Sequence, residues 1–126
     1  MTAKTFQRFD RLSEDLARGK HDWFSHKLKL VFLAAVPDKS ADSTGRGVHS
    51  APLTHTAARE GRTTSVTIQA AMVRAEGDIA PFAAVAVVNA TTNAPIGFLD
   101  MGEAKGMEDG SSKEFKFPPD VVMITV

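Results

Sequence analysis

The sequence predicts a mainly β protein, a small antiparallel β-sandwich or partly open barrel of about six strands with one N-terminal α-helix packed across it. Three observations carry that reading. From Pro81 to Val126, short runs recur at strand length: Phe82 to Val88, Ile96 to Met101, Glu114 to Phe117 and Val121 to Val126. The breaks between them are built from Asn, Asp, Gly and Pro, which turn a chain sharply. Near the N-terminus, one segment has a helical period.

Phe6, Phe9, Leu12 and Leu16 follow three- and four-residue steps, with Lys4, Arg8, Asp10, Arg11, Glu14, Asp15 and Arg18 on the remaining faces. This predicts an amphipathic helix over about residues 4–18, capped by Thr2 or Thr5 and ended by Gly19. Lys20 to His26 is a polar and aromatic connection containing Trp23 and Phe24. Lys27 to Val36 reads as the first strand, with Leu28, Leu30 and Phe32 on one side and Lys27, Lys29, Val31 and Leu33 on the other.

From Pro37 to Gly61 the composition shifts to Ser, Thr, Gly, Asp, His and Arg. That predicts a long loop over about residues 37–61, in which Pro52 to Arg59 forms a short helix at best. A loop of this length inside a compact domain is usually functional, disordered or ordered by a partner. Thr64 to Met72 alternates, with Val66, Ile68, Ala70 and Met72 inward, and reads as the second strand. Arg74 to Asp78 then turns the chain toward the C-terminal strands, about residues 81–126. Asn89 to Pro95 reads as a hairpin loop, with Pro95 able to open a strand but not to sit inside one. Met107 to Ser112 holds the turn-forming pair Asp109-Gly110, and Pro118-Pro119-Asp120 forces a further reversal.

At 126 residues the chain has the size of one domain, 1–126. Its formal net charge is zero and no apolar run approaches the ~20 residues of a membrane-spanning helix. The N-terminal segment lacks the apolar stretch of a secretory signal, so manufacture and use without export are expected. With no cysteine there is neither a disulfide nor a thiolate metal site. The charge is unevenly placed: residues 1–36 hold seven Lys or Arg against four Asp or Glu, and residues 76–110 hold one Lys against six acids. Such asymmetry suits head-to-tail packing of copies or docking on a charged partner, unless it only solvates opposite ends of the domain.

Recognisable catalytic patterns are missing from the sequence. His21, His26, His49 and His55 match no zinc spacing and read as solvated or capping residues. No Gly-x-Ser-x-Gly elbow occurs, and Glu14 with Asp15, like Glu103, Glu108 and Asp109, falls on a polar helix face or a turn. Gly45-Arg46-Gly47 is too short to cradle phosphate, and Arg46, Arg59 and Arg62 have no aromatic ladder beside them for nucleic acid.

The order of elements resembles a family of small tailed-phage virion proteins. The resemblance rests on Glu14-Asp15-Leu16-Ala17, the connection with His21, the strand Lys27 to Leu33 and the Pro-containing loop after it. It continues in Pro81 to Asn89, in Pro95-Ile96-Gly97-Phe98-Leu99-Asp100-Met101-Gly102 and in Val121 to Val126. The chain departs from that family in being neutral and in lacking Tyr. What the resemblance implies is a non-catalytic capsid decoration, or cement, protein on the outside of a phage head, made in the bacterial cytoplasm. Its partners would be the major capsid protein and copies of itself, without cofactor, metal, membrane or direct nucleic-acid contact. Arg46, Arg59 and Arg62 would grip acidic patches of the shell, with Lys4, Arg8, His49 and His55 as further contacts. A tail, neck or fibre component is the alternative within the virion. A small enzyme or ligand-binding module is the alternative of another class, marked by a deep pocket collecting His21, His26 and an acid.

Overall fold

The computed structural model describes residues 6–41, 44, 47–118 and 121–125, with side chains through residue 122. It is mainly β, with antiparallel sheets and one helix. The elements in chain order are β1 (Phe6–Arg8), α1 (Arg11–Ala17), β2 (Leu28–Leu33), β3 (His49–Leu53), β4 (His55–Glu60), β5 (Thr63–Ile68), β6 (Ala71–Arg74), β7 (Ile79–Asn89), β8 (Pro95–Met107), β9 (Ser112–Phe115) and β10 (Val122–Thr125). A five-stranded sheet runs β1-β8-β7-β2-β3, a three-stranded sheet β10-β5-β4, and β6 pairs with β9.

The main core lies between the five-stranded sheet and the two smaller ones. Leu28, Leu30, Phe32, Val85, Val87, Ile96 and Leu99 meet Val66, Ile68, Val73, Phe115 and Val122 there. Each large side chain so buried contributes roughly 1.5–3 kcal/mol of transfer free energy. The opposite face of the five-stranded sheet carries a second cluster of Val31, Leu33, Ala84, Ala86, Val88 and Phe98, which Phe9 caps with its ring 5.2 Å from that of Phe98. The segment after β2 packs over this face: Ala41 joins the cluster and the Asp10 N–H donates to the Lys39 carbonyl. The end of the first strand is therefore buried on both sides.

The N-terminal helix is shorter than predicted. Phe6 and Phe9 share a helical spacing with Leu12 and Leu16, yet Phe6 belongs to β1, paired in register Phe6 to Leu99 and Arg8 to Gly97. The helix starts after Asp10, which makes no side-chain cap, and ends in a Schellman motif in which Gly19 donates to Leu16 and Lys20 to Asp15. Thr2 and Thr5 lie outside the described residues.

The predicted long loop also holds structure, for β3 and β4 occupy His49 to Glu60 with only Thr54 between them. Their inward positions are His49, Ala51, Leu53, His55 and Ala57, mostly too small or too polar to register as an apolar alternation. Pro52 is accommodated because β3 is an edge strand, where a missing N–H costs no ladder bond. The predicted strand from Thr64 to Met72 divides at Gln69-Ala70 into β5 and β6. At that corner the Gln69 N–H donates to the Thr54 carbonyl, so both chain segments change sheets at the same level. Pro95 opens β8, as its chemistry requires, and β8 continues past Met101 to Met107. Of the Pro118-Pro119-Asp120 reversal, Pro119 and Asp120 lie outside the described residues.

Candidate functional site

One pole of the molecule is organised around Asn89, the last residue of β7 and fully buried. Its side-chain oxygen accepts the N–H groups of Thr91 and Thr92, at 2.9 and 3.1 Å, which fixes the amide so that its nitrogen faces the connection after α1. That nitrogen lies 3.0 Å from Nδ1 of His21 and 3.0 Å from Nδ1 of His26, with the Lys20 carbonyl at 3.4 Å. An amide has two hydrogens to give, and a ring whose Nδ1 carries no hydrogen can accept one, so the single amide nitrogen reaches both imidazoles. Nδ1 of His26 also accepts the Asp22 N–H.

The His21 ring stacks on the Trp23 indole, centroids 4.7 Å apart and planes 9° from parallel. The Trp23 carbonyl in turn meets Nε2 of His55 at 2.8 Å. Burial lowers the pKa of His21; the nearby Asp15 carboxylate raises it and His26 lowers it further. Asp15 is itself fully buried and ion-paired through one oxygen to Arg11 Nε at 3.2 Å. Among the described residues, its second oxygen, Nε2 of His21 and Nε1 of Trp23 are buried without hydrogen-bond partners.

Above this stack lies an open cleft of about 360 Å³ lined by Leu16, His21, Asp22, Trp23, Phe24, Arg62 and Thr64. Phe24 stands on it 68% exposed. The carboxylate of Asp22 is taken by the Phe24 N–H and the Ser25 hydroxyl, which hold its pKa down. With Asp22 so occupied, Nδ1 of His21 engaged by Asn89 and its Nε2 buried, the cleft presents a guanidinium and aromatic faces.

His21, His26 and His55 are hydrogen-bonded, His26 accepting a backbone N–H of its own connection, while His49 packs against a ring. His21 is buried, while His26, His49 and His55 are half-buried, and the His49 ring sits edge-on to Phe32 at 5.1 Å. Of the other expected contact residues, Arg8 donates through Nε to the Val121 carbonyl at 2.9 Å and ties β1 to the C-terminal segment. Arg59 and Arg62 are exposed and flank the β4–β5 turn, with Arg59 opposite the cleft residue Thr64. Lys4 and Arg46 lie outside the described residues. His55, Arg59 and Arg62 thus gather near the cleft, whereas Arg8 and His49 do not line it. The contributions of Asn89, Trp23 and Asp15 were not legible as a site, although an Asn ending an apolar run is a polar group that must find bonds once buried, here with histidines 63 and 68 residues away in sequence.

No protein-family model matches this chain, and neither does any curated protein or solved structure. Among the described residues there is no group of three His, Asp or Glu side chains placed to hold a metal ion, and no helix is long and apolar enough to cross a membrane.

Proposed function

We propose that this chain is a non-catalytic virion structural protein that decorates and stabilises a phage capsid by binding the outer surface of the shell lattice. The observation that carries the reading is where the resembling segments fall. Lys27 to Leu33, Pro81 to Asn89 and Pro95 to Gly102 supply the three adjacent central strands β2, β7 and β8, with the segment bearing Glu14 to Ala17 as the helix at their side. These segments of the likeness form one connected framework, while the segment that begins at Val121 supplies β10, paired with β5 in the three-stranded sheet.

Two further features suit the role. β3 and β4 are edge strands of their sheets, so the run from His49 to Glu60 offers unpaired backbone groups along one side. Phe24 and Met72 are large apolar side chains exposed at 68% and 66%, available to a partner surface. Repetition on a lattice multiplies weak single contacts.

The test is a count. Purified protein is mixed with undecorated phage heads, the particles are sedimented, and bound copies per shell are measured by quantitative gel. Hundreds of copies at saturation are expected. About a dozen or fewer would move the protein to the tail or neck, and none would overturn the virion reading.

A further inference from the structure

The two turns at the far end of β7 and β8 form a rigid acidic knuckle. The Gly77 N–H donates to the Asp109 carboxylate at 2.8 Å, and the Asp109 N–H donates to the Asp78 carboxylate at 2.9 Å. Backbone bonds from Ala75 to the Ser111 carbonyl and from Gly110 to the Ala75 carbonyl, both 2.8 Å, lock the same two turns together. Glu76, Asp78, Glu108 and Asp109 are exposed there, with Arg74 and Lys113 set back on β6 and β9. The two Asp-to-backbone bonds fix the Asp78 and Asp109 carboxylates at a tip where Glu76 and Glu108 are exposed as well, at the cost of mutual repulsion.

The opposite end of the same strands carries the complement. Arg62 lines the cleft, Arg59 lies opposite the cleft residue Thr64, and Lys20 and Lys27 are exposed at the two ends of the connection that carries His21 to Phe24, against Glu60 and an Asp22 whose carboxylate is already engaged. Neither Arg59 nor Arg62 carries an ion pair among the described residues. The knuckle adjoins Ile79 and Met107, which pair with each other, while the cleft is tied to Asn89 through His21. β7 spans the 11 residues from Ile79 to Asn89, on the order of 30 Å at roughly 3.3 Å per residue. The acids and the arginines of one chain stand too far apart to meet.

We infer that copies of this chain pack head to tail, the acidic knuckle of one seating against the Arg59–Arg62 cleft of the next. A contact between two different patches of the same molecule is heterologous and propagates into a ring or a row. This deepens the virion reading by naming the neighbour that each copy meets on the shell, and it assigns the acids facing Arg59 and Arg62 to that neighbour. Among the described residues the side-chain bonds that hold the turns come from Asp78 and Asp109, so Glu76 and Glu108 are the acids to change.

The experiment is sedimentation velocity of the full chain across a concentration series at low and high salt, with no shell present. Wild-type protein is expected to grow beyond the monomer as concentration rises and to lose that growth at high salt. R59E/R62E and E76K/E108K should each associate at least about tenfold more weakly. Mixing the two variants should restore association, because each then offers the charge the other lacks. A wild type that stays monomeric at low salt, variants that associate as the wild type does, or a mixture without rescue would each overturn the inference. Shell binding is counted separately, so hundreds of copies per head with no self-association would sink the head-to-tail contact and leave the capsid reading standing.

Discussion

Nδ2 of Asn89 and Nδ1 of His21, 68 residues apart in sequence, meet at 3.0 Å in the buried interior of one pole of the molecule. The contact joins the end of the central strand β7 to the connection that follows the helix. Because the same amide serves His26 and accepts two backbone N–H groups of the hairpin loop, one side chain fixes three separate pieces of chain.

Asn89→Ala should therefore be among the costliest single changes outside the apolar core. It leaves Nδ1 of two histidines and the N–H groups of Thr91 and Thr92 to find other partners. Each buried polar group left unmade costs about 1–3 kcal/mol, so a total loss of about 2–4 kcal/mol is expected after partial relaxation. A urea unfolding midpoint compared with wild type, at unchanged slope, measures it. A loss below about 0.5 kcal/mol would show that the hub holds nothing together.

Stability should fall as the solution is acidified. Burial holds the His21 imidazole below its ordinary value of 6.5 in the folded protein, whereas the unfolded chain titrates at that ordinary value. Below pH 6.5 the unfolded state binds a proton that the folded state refuses, so the stability contribution is complete above 6.5 and drains away as the pH drops toward the folded value. One such group contributes at most about 1.4 kcal/mol per pH unit. Unfolding curves between neutral and mildly acidic pH should show the decline, and His21→Gln should flatten it. An equal slope in the variant would assign the effect to other groups.

How much of this was legible in the sequence depended on where the physics is local. The strand through Leu28, Leu30 and Phe32 declared itself because its inward residues are large and apolar, and Pro95 marked a strand start because proline lacks an N–H. β3 and β4 were hidden because their inward residues include His49, Ala51, His55 and Ala57, which fit an edge that needs little volume. Phe6 and Phe9 imitated a helix because four apolar residues at steps of three and four satisfy that period by composition alone, while pairing of β1 with β8 is a contact some 90 residues away. The cleft was the least legible part. Arg62 and Arg59 drew attention as cations, but the stack beneath them needs Asn89, His21 and Trp23 to be brought together by the fold.

Phe115→Ala should cost about 3–5 kcal/mol. Phe32, Phe82 and Phe115 form one aromatic group across the sandwich, with ring centroids 4.7 Å apart for Phe32 and Phe82 and 5.4 Å for Phe32 and Phe115. Phe115 comes from β9 and Phe32 from β2, so truncation opens a cavity between two sheets whose backbones are each held by their own ladders. Because Phe32 loses a partner as well, Phe32→Leu combined with Phe115→Ala should cost less than the sum of the two singles. Additivity within about 0.3 kcal/mol would show that the rings do not act as a group.

Gly47→Ala tests whether the segment before β3 is fixed to the sheet it covers. Gly47 has φ of +67°, a conformation in which a Cβ is strained, and an added methyl would run into the Phe32 carbonyl and lie 2.7 Å from Cγ1 of Val31. Gly61, in the β4–β5 turn, has φ of +62° with nothing within 4 Å of the same position. Gly61→Ala should cost only the backbone strain, about 1–2 kcal/mol, whereas Gly47→Ala should cost at least about 1 kcal/mol more, because backbone and a buried valine stand in the way. The Val48 N–H that donates to the Phe32 carbonyl at 2.7 Å should exchange with solvent faster in the Gly47 variant and at its usual rate in the Gly61 variant. Equal costs for the two substitutions would mean that the chain at Gly47 yields freely, and that the contact between this segment and β2 does not constrain it.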